Sequence, residues 1–481
     1  MMPAAARTPP DRSEAHAWSA GFRSLDQEFE YRVDEIDGRV PPALRGTLFR
    51  NGSGRNELNG QWFPHWFDGD GMISAIQFDD AGIRYLNRYV RTDNYVNETR
   101  EGRILYRGFG KMRPGGVIAN VLRQPGNVSN TSVVLHGDRL LSLWEGGAPY
   151  ALDPKTLKTY GLEDFGGRVR AFSAHPKIEP ASGDLYNFGI DYGAKTTLTP
   201  YRIGRDGTVK TYPAIALPYP VMNHDFVLTE HYLVFCLGPI LVHPLKFMLG
   251  LASFDGTLRW DGGRPTLILL VPRDGSGAGR WIETEPFFQF HFANGYEKEG
   301  ELVVDLTRYP NYLAIGDSLR TFWHSDWAAE GMAALVRLRI DLSSGTVTSR
   351  SFDTGNANEF PRINPQYVGR PYRYAYIANN PAGQDTGLQR YVTRVDMAGG
   401  RTVSHAFRAN QFVGEPIFIS THAGGDEDDG VVVTLVYDAD ANRTDIVGLD
   451  ARDLTAKPLF TARLRHHVPY SLHGYFAPRL F

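Results

Sequence analysis

The chain has 481 residues, of which 42% are hydrophobic and 22% are charged, a composition typical of a globular protein. Its formal net charge of −3 excludes the strongly basic surface that a nucleic-acid-binding protein needs. Cys236 is its single cysteine, which excludes a disulfide within the chain and a thiolate metal site and suits a reducing cytoplasm.

The first 20 residues are rich in alanine, proline and arginine and have no apolar core. They resemble neither a secretory signal nor a membrane span, so we predict a loose N-terminal tail over 1–20. No run of about 18 apolar residues occurs anywhere in the chain, and we therefore expect no membrane span. Residues 21–481 show no break in composition and predict a single domain.

From about Glu28 onward the sequence predicts short strands joined by turns. Strand patterns bounded by Gly, Asp, Asn or Pro occur at 84–90, 132–136, 139–144, 302–306, 335–341, 374–378 and 431–437. The stretch 226–235 predicts two short strands broken at Thr229 and Glu230. Helical periodicity is scarce, and the two predicted helices are short, at 239–250 and 326–336.

A polar turn recurs with variation beside several of these strands, at 153–157, 179–185, 341–347 and 450–454. One hairpin unit used repeatedly favours small sheets arranged around an axis, a β-propeller. Seven blades would have roughly 65–70 residues each, well above the ~40–45 of simple blades. We therefore predict an all-β fold, a seven-bladed β-propeller whose long loops and short helices form a dome over one face.

Four of the 14 histidines lie in unusually rich sequence contexts: His175, His224, His291 and His473. No local metal motif has such wide spacings. The four would meet if different blades each sent one histidine to the propeller axis. Spacing alone does not single out this set, because many other quartets could be chosen, and each histidine could instead be structural.

Several motifs, taken in order, resemble the carotenoid cleavage oxygenases, which include apocarotenoid-cleaving, stilbene-cleaving and retinoid-isomerising members. These motifs extend from Gly46 to the C-terminus, at 46–54, 66–72, 143–147, 153–157, 174–178, 223–226, 358–364, 415–418, 427–430 and 472–474. Each motif is a weak signal by itself. Their order along the chain is a specific one.

The resemblance implies a seven-bladed propeller with a non-haem Fe(II) on its axis, held by His175, His224, His291 and His473. Neutral imidazoles suit Fe(II), and four of them on an octahedral ion leave two positions for O₂ and substrate. It also implies three glutamates that accept the Nδ1–H of a ligand and fix its orientation. The implied pairs are Glu145 with His224, Glu359 with His291, and Glu415 with His473.

Two further positions bear on the reaction and the substrate. Thr131 matches a position that lies beside the open iron sites in apocarotenoid-cleaving members, where it would restrict the approach of O₂ or water; alternatively it only opens the strand at 132–136. Trp144 stands where members that cleave hydroxystilbenes carry a lysine. An aromatic residue there favours an apolar polyene over a phenolic stilbene, although Tyr106 could still contact a hydroxyl.

The stretch 235–254 is the most apolar in the chain, but it is too short and too interrupted by proline to span a bilayer. It follows the second implied ligand, as does the nonpolar patch of relatives that take polyenes from lipid. Lys246, Phe247 and Leu249 are therefore candidates for a substrate entrance that contacts the membrane surface. A helix packed on the propeller is an equal alternative.

These observations predict an Fe(II)-dependent dioxygenase that cleaves a C=C bond of a carotenoid or apocarotenoid to aldehyde or ketone products. The alternatives are stilbene cleavage, isomerisation without oxidation, and a propeller that acts only as a binding module. The expected partners are an apolar polyene and O₂, with no nucleic acid and no obligate protein partner. We expect a cytoplasmic protein with at most peripheral membrane contact.

Overall fold

The computed structural model describes residues 16–277, 279–320, 322–324, 327, 332–384, 387–422 and 424–481. Seven antiparallel sheets of four to six strands are arranged around one axis, which confirms the predicted seven-bladed propeller. We number the sheets as blades 1 to 7 in chain order. In each of the lists below, strands run from the outer edge of the blade to the inner edge.

Blades 1 to 3 are built from the following strands. Blade 1 contains Glu30–Arg32, Gly82–Tyr89, Asp70–Asp79, Gly46–Arg55 and Ser471–Ala477. Blade 2 contains Thr159–Leu162, Tyr150–Leu152, Arg139–Leu143 and Ser132–His136. Blade 3 contains Val209–Thr211, Thr196–Ile203, Leu185–Tyr192 and Lys177–Ile178, and the short strand Ile215–Ala216 also pairs with Thr196–Ile203.

Blades 4 to 7 complete the ring. Blade 4 contains Arg280–Thr284, Thr266–Pro272, Tyr232–Leu237 and Val227–Leu228. Blade 5 contains Val347–Ser351, Ala334–Asp341, Glu301–Tyr309 and Phe288–Lys298. Blade 6 contains Thr402–Ala406, Tyr391–Asp396, Tyr374–Asn380 and Asn356–Ile363. Blade 7 contains Glu35–Gly38, Phe460–Arg463, Arg443–Asp450 and Gly430–Asp438, and the last of these pairs with both Gln411–Val413 and Ile417–Ser420.

Both ends of the described chain close the ring. The C-terminal strand Ser471–Ala477 adds to blade 1 beside Gly46–Arg55. Near the other end, the second strand of the chain, Glu35–Gly38, adds to blade 7 beside Phe460–Arg463. Pairing strands from distant parts of the sequence in this way ties the first and last blades together and leaves the ring without an open seam.

Each pair of neighbouring blades shares one apolar core, because alternate residues of a strand face opposite sides of its sheet. In blade 2, Val133 and Leu140 pack towards blade 1, whereas Val134 and Leu141 pack towards blade 3. The same arrangement repeats around the ring. This two-sided burial holds the inner strands, and the loops that adjoin them, in fixed positions around the axis.

Among the residues that the structure describes, the helices are few and short. The α-helices are Asp93–Glu101, Gly116–Asn120, Pro244–Met248 and Leu313–Arg320, and the 3₁₀ turns are Ser19–Phe22, Trp66–Asp68, Asp255–Thr257 and Pro365–Tyr367. A separate apolar core joins several of them to the propeller. It packs Phe22, Trp66, Ile315 and Leu319 over Phe288, Phe290 and Leu472 of the inner strands, and this packing forms the dome.

Both predicted helices need correction. Over 239–250 only Pro244–Met248 is helical, because Ile240–Leu241 pairs as a strand and Gly250 takes a left-handed φ of +69° that ends the segment. Of the predicted helix at 326–336, residues 326 and 328–331 lie outside the described residues. Its end belongs to the blade 5 strand Ala334–Asp341. The break at Thr229 and Glu230 is confirmed, since Val227–Leu228 and Tyr232–Leu237 flank it.

Only the last part of the predicted N-terminal tail is among the described residues. Residues 1–15 of the predicted tail lie outside the described residues. Trp18 packs edge-on against Phe412, with ring centroids 5.8 Å apart, and Ser19–Phe22 forms a 3₁₀ turn whose Phe22 is fully buried. The chain is therefore packed against the propeller from about residue 18.

Candidate metal centre and its cavity

Four buried histidines from four blades meet on the propeller axis. His473 and His291 lie on the inner strands of blades 1 and 5, and His175 and His224 lie just before the inner strands of blades 3 and 4. Their candidate ligand atoms all lie within 4.8 Å of one another. The structure thus brings together the four histidines that were predicted as metal ligands.

The Nε2 atoms of these histidines point at each other. Those of His175 and His224 are 2.7 Å apart, and those of His291 and His473 are 3.1 Å apart. Adjacent nitrogen ligands with bonds of about 2.1 Å to one metal lie about 3 Å apart at right angles, so the set fits a metal ion. His291 and His473 each direct Nδ1 to a glutamate, so their neutral rings carry the proton on Nδ1 and their Nε2 lone pairs face each other with no proton between them, an arrangement that a metal ion satisfies.

Three glutamates hold the opposite ring nitrogen of three of these histidines. Glu145 contacts Nδ1 of His224, and Glu359 contacts Nδ1 of His291. The third carboxylate oxygen, Oε1 of Glu415, lies 2.9 Å from Nδ1 of His473. A carboxylate there accepts the Nδ1–H and leaves the Nε2 lone pair for a metal. These are the three pairs that the sequence resemblance implied.

The three glutamates differ in the residues that hold them in place and in their exposure. Glu415 is buried, and Arg50 donates to its Oε2 at 2.6 Å while Arg362 donates to its Oε1 at 2.7 Å. Glu359 accepts a 2.5 Å hydrogen bond from the hydroxyl of Tyr309. The side chain of Glu145, by contrast, is 31% exposed and lies at the cavity. Two of the glutamates are therefore held rigidly, and the third is open to the cavity.

Sequence reasoning missed these supporting residues. Arg50 is fully buried within Gly46–Arg55, a strand buried along its whole length. An arginine in such a strand needs an internal counter-charge, and that need is the signal that could have identified it. Tyr309 carries no comparable signal, because a tyrosine at the end of a buried strand is common.

Asp225, next to His224, accepts hydrogen bonds from the backbone rather than from the imidazole. Its carboxylate pairs with Lys177 at 2.8 Å and accepts hydrogen bonds from the backbone N–H of Phe226 and of Phe292. The two N–H groups belong to blades 4 and 5. Asp225 therefore holds the inner edges of these blades together directly behind His224.

The protonation of the centre follows from burial and from the glutamates. Burial lowers the pKa of His175 well below its usual value and, despite Glu415, lowers the pKa of His473 to about 3. Burial also lowers the pKa of His224, but the Glu145 carboxylate outweighs it and the net shift is upward. Burial raises the pKa of Glu415, yet Arg362, His473 and Arg50 outweigh this and hold it below its usual range.

A cavity of about 870 Å³ opens onto the four-histidine centre. Aromatic side chains form much of its wall, including Trp66, Phe67, Phe109 and Phe290. Thr131 and Trp144 both line it, whereas the hydroxyl of Tyr106 accepts a hydrogen bond from Asn97 and Tyr106 is not part of the lining. The cavity is large enough and apolar enough for a bulky hydrophobic ligand.

The predicted entrance segment divides into two parts. Phe235 and Cys236 are buried in blade 4, whereas Lys246 and Leu249 are exposed and Phe247 lines the cavity. The helix Gly116–Asn120 and the residues after it lie beside the exposed part, since Leu122 N–H donates to the Met248 carbonyl at 2.7 Å. The exposed apolar side chains of this region, which we call the apolar rim, are Val117, Ile118, Leu122, Leu245, Met248, Leu249 and Leu251.

Comparison with known proteins places the chain in a family. The family model described as retinal pigment epithelial membrane protein, RPE65, matches residues 22–478. The apocarotenoid-15,15'-oxygenase of Synechocystis sp. is 37% identical over 473 residues, which cover 96% of this chain and 96% of that protein. Resveratrol cleavage oxygenase 1 of Aspergillus fumigatus is 31% identical over 507 residues, covering 97% and 95%.

A solved structure agrees with these matches. The crystal structure of cobalt-substituted Synechocystis ACO is similar with a TM-score of 0.90 at 36% identity, covering 96% of this chain and 98% of that one. The family model matches nearly the whole chain, and the sequence motifs follow the same order. The chain therefore belongs to the RPE65 family, the carotenoid cleavage oxygenases, which confirms the resemblance seen in its sequence.

Proposed function

We propose that the chain is a non-haem Fe(II)-dependent dioxygenase that cleaves one C=C bond of a carotenoid or apocarotenoid to two carbonyl products. One observation carries the proposal: four imidazoles converge on one point, and three of them line a large aromatic cavity. The 37% identical relative is named as an apocarotenoid oxygenase, and this supports an apocarotenoid as the substrate.

His175, His224, His291 and His473 would hold the iron through Nε2. Neutral nitrogen ligands without a thiolate suit Fe(II), and the related Synechocystis enzyme has been studied in cobalt-substituted form, which is consistent with a divalent ion. When bound, the iron would supply the site at which O₂ is activated. Each residue around it has a separate task in orienting ligands or substrate.

The chain's own residues prepare the reaction in three ways. Glu145, Glu359 and Glu415 fix the tautomer and the ring orientation of their histidines. The aromatic wall holds the polyene extended and excludes water. Thr131, which lines the cavity, would restrict how a small molecule reaches the open side of the centre.

Stilbene cleavage is the second candidate. It is supported by the 31% identity to a resveratrol cleavage oxygenase. Against it, Trp144 replaces the lysine that would hold a phenol, and Tyr106 lies outside the cavity lining. We therefore favour the apolar polyene.

The test is a cleavage assay with anaerobically Fe(II)-loaded protein, exposed to O₂ with a β-apocarotenal or with a hydroxystilbene. We expect two carbonyl products from the apocarotenal, identified by mass, and no cleavage by His224→Ala. His231→Ala is the matched control, because His231 is exposed and pairs with Glu297 away from the centre. Cleavage of the stilbene alone would overturn the substrate assignment, and cleavage by His224→Ala would overturn the site.

We also propose that the apolar rim contacts a membrane surface and admits the polyene, with Lys246 towards the lipid headgroups and Phe247 at the cavity entrance. Ile118 is 89% exposed and Leu122 is 71% exposed, which is costly in water unless lipid covers them. Within the described residues no helix is long and apolar enough to cross a membrane. The buried single cysteine suits a cytoplasmic protein that touches the membrane peripherally.

Vesicle flotation tests this contact. Replacing Ile118 and Leu249 by serine should reduce the fraction of protein that floats with phosphatidylcholine vesicles. Leu162→Ser is the control, because Leu162 is similarly exposed but lies on the outer edge of blade 2. Equal flotation of the two variants would argue against the rim as the contact surface.

A further inference from the structure

One part of the cavity runs along a face of blade 3 that carries polar side chains. Thr197, Thr199 and Tyr201 alternate along the strand Thr196–Ile203, so they share one face, and all three line the cavity. On the neighbouring strand, Asp191 lies opposite Thr197 and also lines the cavity. Four polar side chains thus form one surface within the cavity.

The loop that precedes His175 covers this surface. A side chain at Gly189, opposite Thr199, would collide with the carbonyl oxygen of Ala171, so this loop packs directly on the strand. Arg170, from the same loop, lines the cavity as well. We call Arg170, Asp191, Thr197, Thr199 and Tyr201 the polar arm of the cavity.

The hydroxyls of the polar arm are available to a ligand. Tyr201 is 6% exposed, and neither its hydroxyl nor those of Thr197 and Thr199 has a hydrogen-bond partner among the residues that the structure describes. Burial raises the pKa of Tyr201, with a further contribution from Asp191, so the phenol stays protonated and can donate. These hydroxyls face the open space of the cavity, so an oxygen atom bound there can accept hydrogen bonds from them.

Other parts of the lining contrast with this surface. Towards the apolar rim the cavity is lined by Leu122, Phe247 and Met248, and below the dome by Ile315 and Leu319. A hydrocarbon chain gives up no hydrogen bonds to water when it enters these apolar parts, whereas an aldehyde or alcohol group would lose its own. The cavity therefore distinguishes the two ends of a molecule that has one apolar end and one oxygen-bearing end.

We infer that the polar arm binds the oxygen-bearing end of the substrate, an aldehyde or alcohol group, and so sets which double bond lies at the four-histidine centre. This inference rests on the proposed function, because it takes an apocarotenoid as the substrate. Tyr201, Thr199 and Arg170 donate to the terminal oxygen, and Asp191 can accept from an alcohol. The polar arm acts as a specificity determinant, separate from the metal ligands.

Steady-state kinetics with matched substrates tests the inference. A β-apocarotenal is compared with a hydrocarbon of the same polyene length that lacks the terminal oxygen. Tyr201→Phe and Thr199→Val remove only the hydroxyls. We expect each to raise KM for the apocarotenal about five- to tenfold, corresponding to the loss of one hydrogen bond, and to leave KM for the hydrocarbon unchanged.

Thr196→Val is the matched control, because Thr196 lies on the same strand but points to the opposite face and does not line the cavity. A second readout is the mass of the products: loss of the terminal anchor should broaden the set of cleaved bonds. Unchanged KM and unchanged products in the Tyr201 and Thr199 variants, or equal changes for both substrates, would overturn the inference. Failure of the wild-type protein to cleave either polyene would instead overturn the proposed function.

Discussion

The hydroxyl of Tyr309 offers a sharp test of how the centre is built. It donates to Oε1 of Glu359, whose other oxygen holds Nδ1 of His291. Tyr309→Phe removes this donor and leaves the buried Oε1 of Glu359 without the hydrogen bond that Tyr309 supplies. Hydrogen bonds to charged groups contribute about 1.5–3 kcal/mol, so we expect a loss of stability of that size. Because Glu359 then holds His291 less firmly, metal affinity should fall about tenfold.

Tyr312 is the matched control for this variant. It is as buried as Tyr309 and belongs to the same apolar core, but its hydroxyl has no partner among the described residues. Tyr312→Phe should therefore leave stability unchanged or raise it slightly, with no change in metal affinity. Denaturant midpoints of the metal-free proteins and competition for Fe(II) with a chelator measure the two effects. Equal effects of the two substitutions would refute the reasoning, since only one hydroxyl contacts the glutamate.

Two other predictions concern carboxylates. Glu415→Gln leaves a buried arginine without its counter-charge and should lower the free energy of unfolding by about 3–5 kcal/mol. Glu145 is partly exposed, so Glu145→Gln should lower it by less than about 1 kcal/mol. Its metal affinity should nevertheless fall about 10- to 100-fold, because Glu145 orients His224. Equal denaturant midpoints for the two would contradict the difference in their support. Burial raises the pKa of Asp68 to about 7, and an acid with a raised pKa loses folded-state stability as the pH rises towards that value. The stability of Asp68→Asn relative to the wild type should therefore increase as the pH rises from about 4 to about 7, and a constant difference across that range would contradict the raised pKa of Asp68.

Much of the fold was predictable from local signals. Strands such as Ser132–His136 and Tyr374–Asn380 can be recognised in the sequence because their apolar residues are bounded by turn residues. The recurring polar turns indicated a repeated unit. The helix predicted over 239–250 was too long because apolar character alone does not separate a helix from a strand pair. Its true bounds follow from Pro244 at the start and Gly250 after the end.

The candidate centre was predictable only through the order of family motifs. His175 and His473 come from distant parts of the sequence, and no spacing rule joins residues that different blades bring to one axis. The contacts of Arg50 and Tyr309 with the glutamates are set by tertiary packing, and neither the motif 46–54 around Arg50 nor the strand that ends at Tyr309 shows which glutamate each contacts. The sequence does not predict the polar arm for the same reason. Thr199 is indistinguishable from any other strand residue until the cavity beside it is known.

The central claim is that the four histidines bind one catalytic iron, and iron content measures it most directly. The purified chain, loaded with Fe(II) without oxygen and freed of excess metal, should retain about one iron per molecule. His224→Ala should retain little, and His231→Ala should match the wild type, because only His224 belongs to the centre. Wild-type protein that retains no iron, or a His224→Ala variant that retains as much as the wild type, would contradict the account.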